Sequence, residues 1–286
     1  MSDTSGWLRV VATPIGNLED LSPRATRAFR EATLVLAEDT RRARQLLSHL
    51  GITGKRIERL DAHVERHALE HWAERLAAGD RIAMVSDAGT PTVSDPGAAV
   101  VRAAVAVGIS VESVPGPSAV IAALAASGMP ADRFRFFGFL PRKGGGRRDV
   151  LAELVATPET VVFFEAPQRA QATFEELRAL APEREACVAR ELTKLHEELV
   201  RGTIAELAAR EEWRGELTVV LGIGKREPRA AVHDLEQRIE ALLRDGLRAK
   251  DVARVLAAEL GLSAREVYAA IARRAPRDHD DAPGDD

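Results

Sequence analysis

The chain has 286 residues, 45% hydrophobic and 29% charged, with one cysteine and a net charge of −4. That length holds more than one hydrophobic core, so two or three compact units are expected. A single cysteine excludes an intramolecular disulfide and a cysteine zinc cluster. The longest apolar runs are broken by Arg102 or by Gly128 and Pro130, which excludes a membrane span. Ser2 to Gly6 show no targeting signal, so a cytoplasmic location is expected. The total charge misleads about partners. The last nine residues, Asp278 to Asp286, hold five Asp and no Lys or Arg, so the rest of the chain carries +1 against −4 for the whole. Positive charge is clustered at Arg41–Arg44 and Arg142–Arg148, where it either forms solvated faces or grips phosphates.

In chain order, Leu8 to Ala12 reads as a buried strand ending in Thr13-Pro14-Ile15-Gly16-Asn17. Ser22 and Pro23 then read as the cap and first position of a helix through Arg30. No G-x-G-x-x-G is present, so a dinucleotide fingerprint is excluded. Thr33 to Ala37 is a second strand ending at Glu38-Asp39-Thr40-Arg41. Arg56 to Leu60 is a third, followed by a helix from Val64 to Ala78. His67 and His71 on that helix lack an H-E-x-x-H pattern, and no metal site is expected.

The strand Arg81 to Val85 runs into Ser86-Asp87-Ala88-Gly89-Thr90-Pro91-Thr92-Val93-Ser94-Asp95-Pro96-Gly97. This loop exceeds the usual length of about two to six residues. It lies where an open α/β sheet meets its ligand. Gly89 and Gly97 permit close approach or positive φ, and Asp95 then Pro96 read as a helix cap and first position. Ser110 to Val114 is the next strand, followed by Pro115-Gly116-Pro117 and a helix Ser118 to Ala126. Alternating strands and helices predict a mostly parallel sheet covered on both faces, with the turns at Thr13, Ser86 and Pro115 on one edge.

Gly128-Met129-Pro130 reads as a hinge. Beyond it come the strand Phe134 to Leu140 with its four Phe as core, a basic glycine loop, and the strand Thr160 to Phe164. A helix to Leu180 follows, then paired strands Ala186 to Glu191 and Glu197 to Thr203, a helix Ile204 to Arg210 and a strand Leu217 to Ile223. Consecutive strands predict a mixed sheet. Lys225 to Ala231 reads as a linker. From His233 the period is helical, and helices split by Gly261, the second capped by Ser263, match either a helix-turn-helix or a plain three-helix bundle. The acidic tail, 276–286, reads as disordered.

Six strings occur together and in order: Val11–Leu18, Ala37–Arg41, Ser86–Pro91, Pro115–Ala119, Phe164–Arg169 and Ala189–Lys194. In them the chain resembles the small-subunit ribosomal RNA cytidine 2′-O-methyltransferases, a branch of the tetrapyrrole-methylase-like superfamily. The resemblance covers about residues 8–224. It implies an α/β fold class: two α/β domains, 7–127 and 128–226, with the donor site in the cleft between them, and a helical helix-turn-helix-like domain, 232–275. It also implies S-adenosylmethionine as methyl donor, 16S ribosomal RNA or the small subunit as partner, and a homodimer. In the wider superfamily the first loop is richer in glycine than Pro14-Ile15-Gly16-Asn17.

On that reading Asp87, Ala88 and Gly89 hold the donor, Pro14, Ser118 and Ala119 line the same pocket, and Leu192 and Thr218 come from the second domain. Phe164 borders the adenosine or lies in the core. A proton acceptor must reach the ribose hydroxyl. Asp39 is the first choice, with Glu38, Glu165 and Glu191 as alternatives; Asp39 as a helix cap is the competing reading. Lys194 and Arg190 hold phosphate, or Lys194 acts as base. Arg41, Arg142, Lys143, Arg147 and Arg148 are expected to contact RNA. A tetrapyrrole acceptor, or a DNA-binding regulator using residues 249–273, are the rival readings.

Overall fold

A computed structural model describes residues 6–61, 66–224 and 228–260, together with 267, 268, 270 and 271. It divides into two units at Gly224. In the first unit, β1 (Trp7–Val11), β2 (Leu34–Ala37), β3 (Arg56–Arg59), β4 (Arg81–Val85) and β5 (Ser110–Val114) form one sheet in the order β3-β2-β4-β1-β5. Every pairing in it is parallel. Such a sheet is covered on both faces, which is why β2 is buried at all four positions. Alternate residues of β4 go to opposite cores. Ala83 and Val85 meet α1 (Pro23–Glu31) and α2 (Thr40–His49), while Ile82 and Met84 meet α3 (Arg66–Ala77) and α4 (Ala98–Ala106).

Local chemistry sets the helix starts. Ser22 Oγ accepts from Ala25 N at 3.1 Å, with Pro23 in the first turn. The helix α2 is the one that the competing reading of Asp39 as a cap expects, in a stretch where Arg41–Arg44 otherwise registers as a charge cluster. Its inward side is Ala43 and Leu47, with Leu46 beside them, at helical spacing. The expected cap at Asp95 is corrected: α4 starts at Ala98, and its cap is Gly97 at φ 130°. A Cβ at Gly97 would stand 2.8 Å from Met84 Sδ.

The helix α5 (Ala119–Ser127) leaves the first sheet and covers one face of a second, where Val120, Ala123 and Leu124 pack on Val162, Cys187, Ala189 and Val220. That sheet holds β6 (Phe134–Phe139), β7 (Thr160–Glu165), β8 (Glu185–Arg190), β9 (Glu198–Thr203) and β10 (Leu217–Leu221), in the order β6-β7-β10-β8-β9. Only β6 with β7 is parallel, so the sheet is mixed as expected. Its other face is covered by α6 (Gly145–Ala156), α7 (Pro167–Leu180) and α8 (Ile204–Ala208). The basic glycine loop is corrected in part: only its first residues are loop, and α6 begins at Gly145. The four Phe of β6 do not share a core. Phe134 and Phe139 are exposed; for Phe139 the register slips after Phe136, where Gly138 takes φ 64°.

In the second unit, α9 (Pro228–Arg244) and α10 (Ala249–Leu260) share a core of Leu235, Ile239, Val252, Ala253 and Leu256 with Val267 and Ala270. Helix therefore begins inside the expected linker. The Gly261 turn, the Ser263 cap and the acidic tail lie outside the described residues. No helix among the described residues is long and apolar enough to cross a membrane.

Candidate active site

Because the first sheet is parallel, the turns after β1, β2, β4 and β5 emerge on one edge. They are tied together by backbone. Thr13 and Gly89 exchange two hydrogen bonds, of 2.9 and 3.0 Å, and Ala12 N donates to Val114 O at 3.2 Å. Thr90 Oγ1 donates to Pro117 O at 3.1 Å. Gly89 takes φ 79°, and a Cβ there would stand 3.3 Å from Ile15 Cγ2. Ser118 caps α5 without a side-chain cap bond, which leaves N–H groups of that first turn, Ala119 included, free to meet an acceptor. Thr92 and Ser94 hold φ of 74° and 65°, a strained backbone of the kind found at functional turns.

Carboxylates gather at the same edge. Asp87 Oδ1 accepts from Asp39 N at 2.9 Å, and Asp87 N donates to Glu38 Oε2 at 3.4 Å. Arg42 stands 3.6 Å from Asp87 at the rim. Asp39 is not free to take a proton. It caps α2 by accepting from Arg41 N at 2.8 Å, and its carboxylate pairs with the Arg41 guanidinium. The Arg41 side chain, and then its backbone N–H, hold Asp39 down at about 2. Asp95 has the opposite surroundings. Burial pushes it up to about 6, against a hydrogen bond with Ser86, and the nearby charges of Glu38 and Asp87 push the same way. The sequence reading missed Asp95 as a site residue because Ser94-Asp95-Pro96 imitates a helix start. Its signal was a carboxylate within an overlong loop.

The second sheet meets this edge through close backbone. A Cβ on Gly16 would stand 2.5 Å from Lys194 Cγ and 2.9 Å from Leu192 O, so the Pro14 turn sits directly on Leu192–Lys194. A Cβ on Gly138 would stand 2.7 Å from Ser94 Oγ. Leu192 and Phe164 pack against the cluster that α5 forms with the second sheet, and Thr218 pairs with Phe164 across β10 and β7. Phe164 also lies against Phe136 and Phe139, at ring separations of 5.1 and 5.2 Å. The expected donor residues thus fall into one neighbourhood.

Several expected roles are corrected. Glu191 accepts from Glu216 N at 2.8 Å and from Lys194 Nζ at 2.9 Å, and both depress it. Burial alone would lower Lys194, but Glu191 and Glu216 hold it above its ordinary value. The pair clamps a loop in which Glu191 and Thr193 take positive φ; it does not supply a base. Glu165 is buried beneath Arg169, Thr173 and Ala166 N, away from the edge. Arg147 is buried and bonded to Pro141 O, Thr173 and Glu176, so it cannot reach phosphate. Arg142, Lys143 and Arg148 beside it are exposed. Arg41 and Arg190 are paired, with Asp39 and Glu198. Among the described residues no three His, Cys, Asp or Glu side chains are grouped to hold a metal.

A parallel sheet with a strained glycine turn, open backbone donors and a half-buried carboxylate, closed over by a second mixed sheet, defines a two-lobed α/β enzyme that binds at its strand ends. Comparison with known proteins gives the family. The model of the tetrapyrrole (corrin/porphyrin) methylases matches residues 8–208. Ribosomal RNA small subunit methyltransferase I of Xylella fastidiosa is 45% identical, over 93% of this chain and 98% of its own. That of Mycobacterium tuberculosis is 43% identical, over 94% and 95%. Among solved structures, diphthine synthase aligns with a TM-score of 0.58 at 18% identity over 76% of this chain and 90% of its own. Uroporphyrin-III C-methyltransferase of Thermus thermophilus, complexed with S-adenosylhomocysteine, aligns with a TM-score of 0.52 at 24% identity over 76% and 97%. The chain belongs to the tetrapyrrole (corrin/porphyrin) methylase family, on the side of the ribosomal RNA small subunit methyltransferase I proteins.

Proposed function

We propose that the chain transfers a methyl group from S-adenosylmethionine to the ribose 2′-hydroxyl of a cytidine in the decoding region of 16S ribosomal RNA, acting in the cytoplasm as a homodimer. The observation that carries this is identity of 43–45% over more than nine-tenths of the chain with proteins named for that ribosomal RNA. The edge fits the donor. The Gly89 turn admits close approach, the N–H groups at the start of α5 suit a carboxylate, and Asp87 suits a positive sulfur. When bound, the donor supplies an electrophilic methyl. Asp87, Ala88, Gly89, Pro14, Ser118 and Ala119 hold it, with Leu192, Phe164 and Thr218 across the cleft.

What remains for the protein is to orient the acceptor, exclude water and take a proton. Asp95 takes the proton from the ribose O2′, since a carboxylate at about 6 is a far better acceptor at neutral pH than Asp39 at about 2. Arg142, Lys143 and Arg148 follow the RNA backbone, and the exposed Phe139 beside Arg142 gives a base a surface to stack on.

The test is radiolabelled donor with three acceptors: small subunits lacking the modification, naked 16S RNA and uroporphyrinogen. Label in either ribosomal acceptor, mapped by mass to a cytidine ribose, is expected; label in uroporphyrinogen alone overturns the proposal. Replacing Arg142, Lys143 and Arg148 together by Ala should weaken RNA binding and reduce its logarithmic salt slope by roughly 2. An unchanged slope removes those residues from the interface.

A further inference from the structure

A groove of about 400 Å³ opens between the end of β6 and the start of α7. That is the size of a small-ligand site. Phe139, Leu140 and Ala166 line it with apolar surface, and Arg142, Gln168 and Arg169 supply its polar groups. Phe139 is 62% exposed. Its ring is nonetheless supported, resting on Phe164 at 5.2 Å. Arg169 is fixed from within, paired with Glu165 and donating to Leu140 O at 3.0 Å. Glu165 already meets its charge, so Arg169 serves as an ordered planar wall. Arg142 is exposed on the lining, and Lys143 and Arg148 are exposed close by in the chain. No carboxylate is among the lining residues, and none of them belongs to the donor set. The groove lies toward the acceptor instead. A Cβ on Gly138, next to Phe139, would stand 2.7 Å from Ser94 Oγ, next to Asp95.

We infer that this groove seats the base of an unpaired nucleotide of the RNA strand, stacked on Phe139 with its phosphate on Arg142. The inference rests on the ribosomal RNA reading above. An aromatic face beside positive charge that tracks the backbone is how proteins hold single strands. A base inside an A-form duplex has both faces covered by its neighbours and cannot enter. The groove therefore sets a condition on the acceptor: the strand must be open close to the target ribose. The Gln168 amide carries both a donor and an acceptor, so it meets any base edge and selects none. A second copy of this chain is the rival occupant. A two-fold contact centred here would bring Arg142, Lys143 and Arg148 against their own copies, and like charges repel.

Phe139→Leu keeps an apolar side chain and removes the ring. It should raise KM for the ribosomal acceptor about tenfold, with kcat and calorimetric affinity for S-adenosylhomocysteine unchanged. Phe139→Trp should restore KM. An unchanged KM in Phe139→Leu, or equal KM in the Leu and Trp variants, overturns the inference. A loss of donor affinity in Phe139→Leu assigns the ring to the donor and overturns it too, and a change in sedimentation mass does the same by assigning the groove to a second copy. Another readout needs no turnover. The emission that Phe139→Trp adds to the wild type should be quenched by a short RNA strand and not by the same strand annealed to its complement. Equal quenching by both, or none, overturns the inference. A wild-type chain that methylates no ribosomal acceptor, while Phe139→Trp shows this strand-selective quenching, defeats the ribosomal RNA reading and leaves the groove standing.

Discussion

Arg184 and Asp95 are both charged groups withdrawn from water within one unit, and their surroundings differ in kind. Arg184, on the second sheet's side, is 5% exposed and donates to five carbonyls. These are Gly222, Leu154, Val155, Thr157 and Glu159, at 2.8 to 3.3 Å. Burial lowers its pKa to about 10, which leaves it charged at neutral pH. Asp95, at the first sheet's edge, has a hydrogen bond with Ser86 and the like charges of Glu38 and Asp87 for company. A buried charge with a full set of partners fastens a scaffold; one with an incomplete set is held ready for a ligand or a proton.

The largest expected effect breaks the reactive side of that comparison. Asp95→Asn should lower turnover about 10²- to 10⁴-fold with donor affinity retained. The wild-type rate should fall as pH drops through about 6, and that inflection should vanish in the variant. The sign for stability is the reverse of an ordinary carboxylate. A pKa raised from 3.8 to about 6 favours the protonated folded form, so the contribution is full below 3.8 and lost as pH rises through 6. Asp95→Asn should therefore be at least as stable as the wild type at pH 7 in urea titration. Retained turnover would remove Asp95 from proton transfer.

The next effect breaks the scaffold side. Arg184→Met leaves the five carbonyls without their donor and should cost about 3–5 kcal/mol in urea unfolding. At temperatures where the variant is folded, its donor affinity should be unchanged. A loss of donor affinity in folded Arg184→Met would blur the distinction between the two sites.

What could be read from the sequence follows the same division. The turns at Thr13, Ser86 and Pro115 share one edge because alternating strands and helices dictate a parallel sheet, and Gly89 declares its positive φ by being glycine among Pro, Ser and Asp. The mixed second sheet was equally plain from consecutive strands. Arg147 was not legible: it stands in the same basic string as Arg148, and its partners lie on β7 and α7, far along the chain. Asp39 and Asp95 exchanged roles because both precede helices, and only the tertiary fold shows which one caps. The Gly97 conformation at φ 130° moves the start of α4 past Asp95 and releases its carboxylate.

A smaller effect sharpens the contrast within the edge itself. Gly89 and Gly108 take nearly the same backbone conformation, at φ 79° and 74°. A side chain at either costs about 1–2 kcal/mol in the left-handed region. Only at Gly89 does the added Cβ also meet a neighbour, Ile15 Cγ2 at 3.3 Å; at Gly108 there is open space. Both alanine variants should lose similar stability, and only Gly89→Ala should lose donor affinity by calorimetry. Equal donor affinity in the two would detach the Gly89 turn from the donor site.

The smallest effect concerns Asp39, whose carboxylate differs from Asp95 in what surrounds it and so in the direction of its titration. Bonds from the Arg41 side chain and backbone bring it from 3.8 to about 2. Its contribution to stability is present above 3.8 and is lost as pH falls through 2. Asp39→Asn keeps a capping oxygen for the Arg41 N–H, since Asn and Asp cap comparably, and gives up only the charge. Its unfolding midpoint should trail the wild type slightly at pH 7 and converge with it in acid, with turnover near normal. A collapse of turnover, with the fold and the pH 7 midpoint intact, would return the proton to Asp39 and leave Asp95 as a spectator of its own burial.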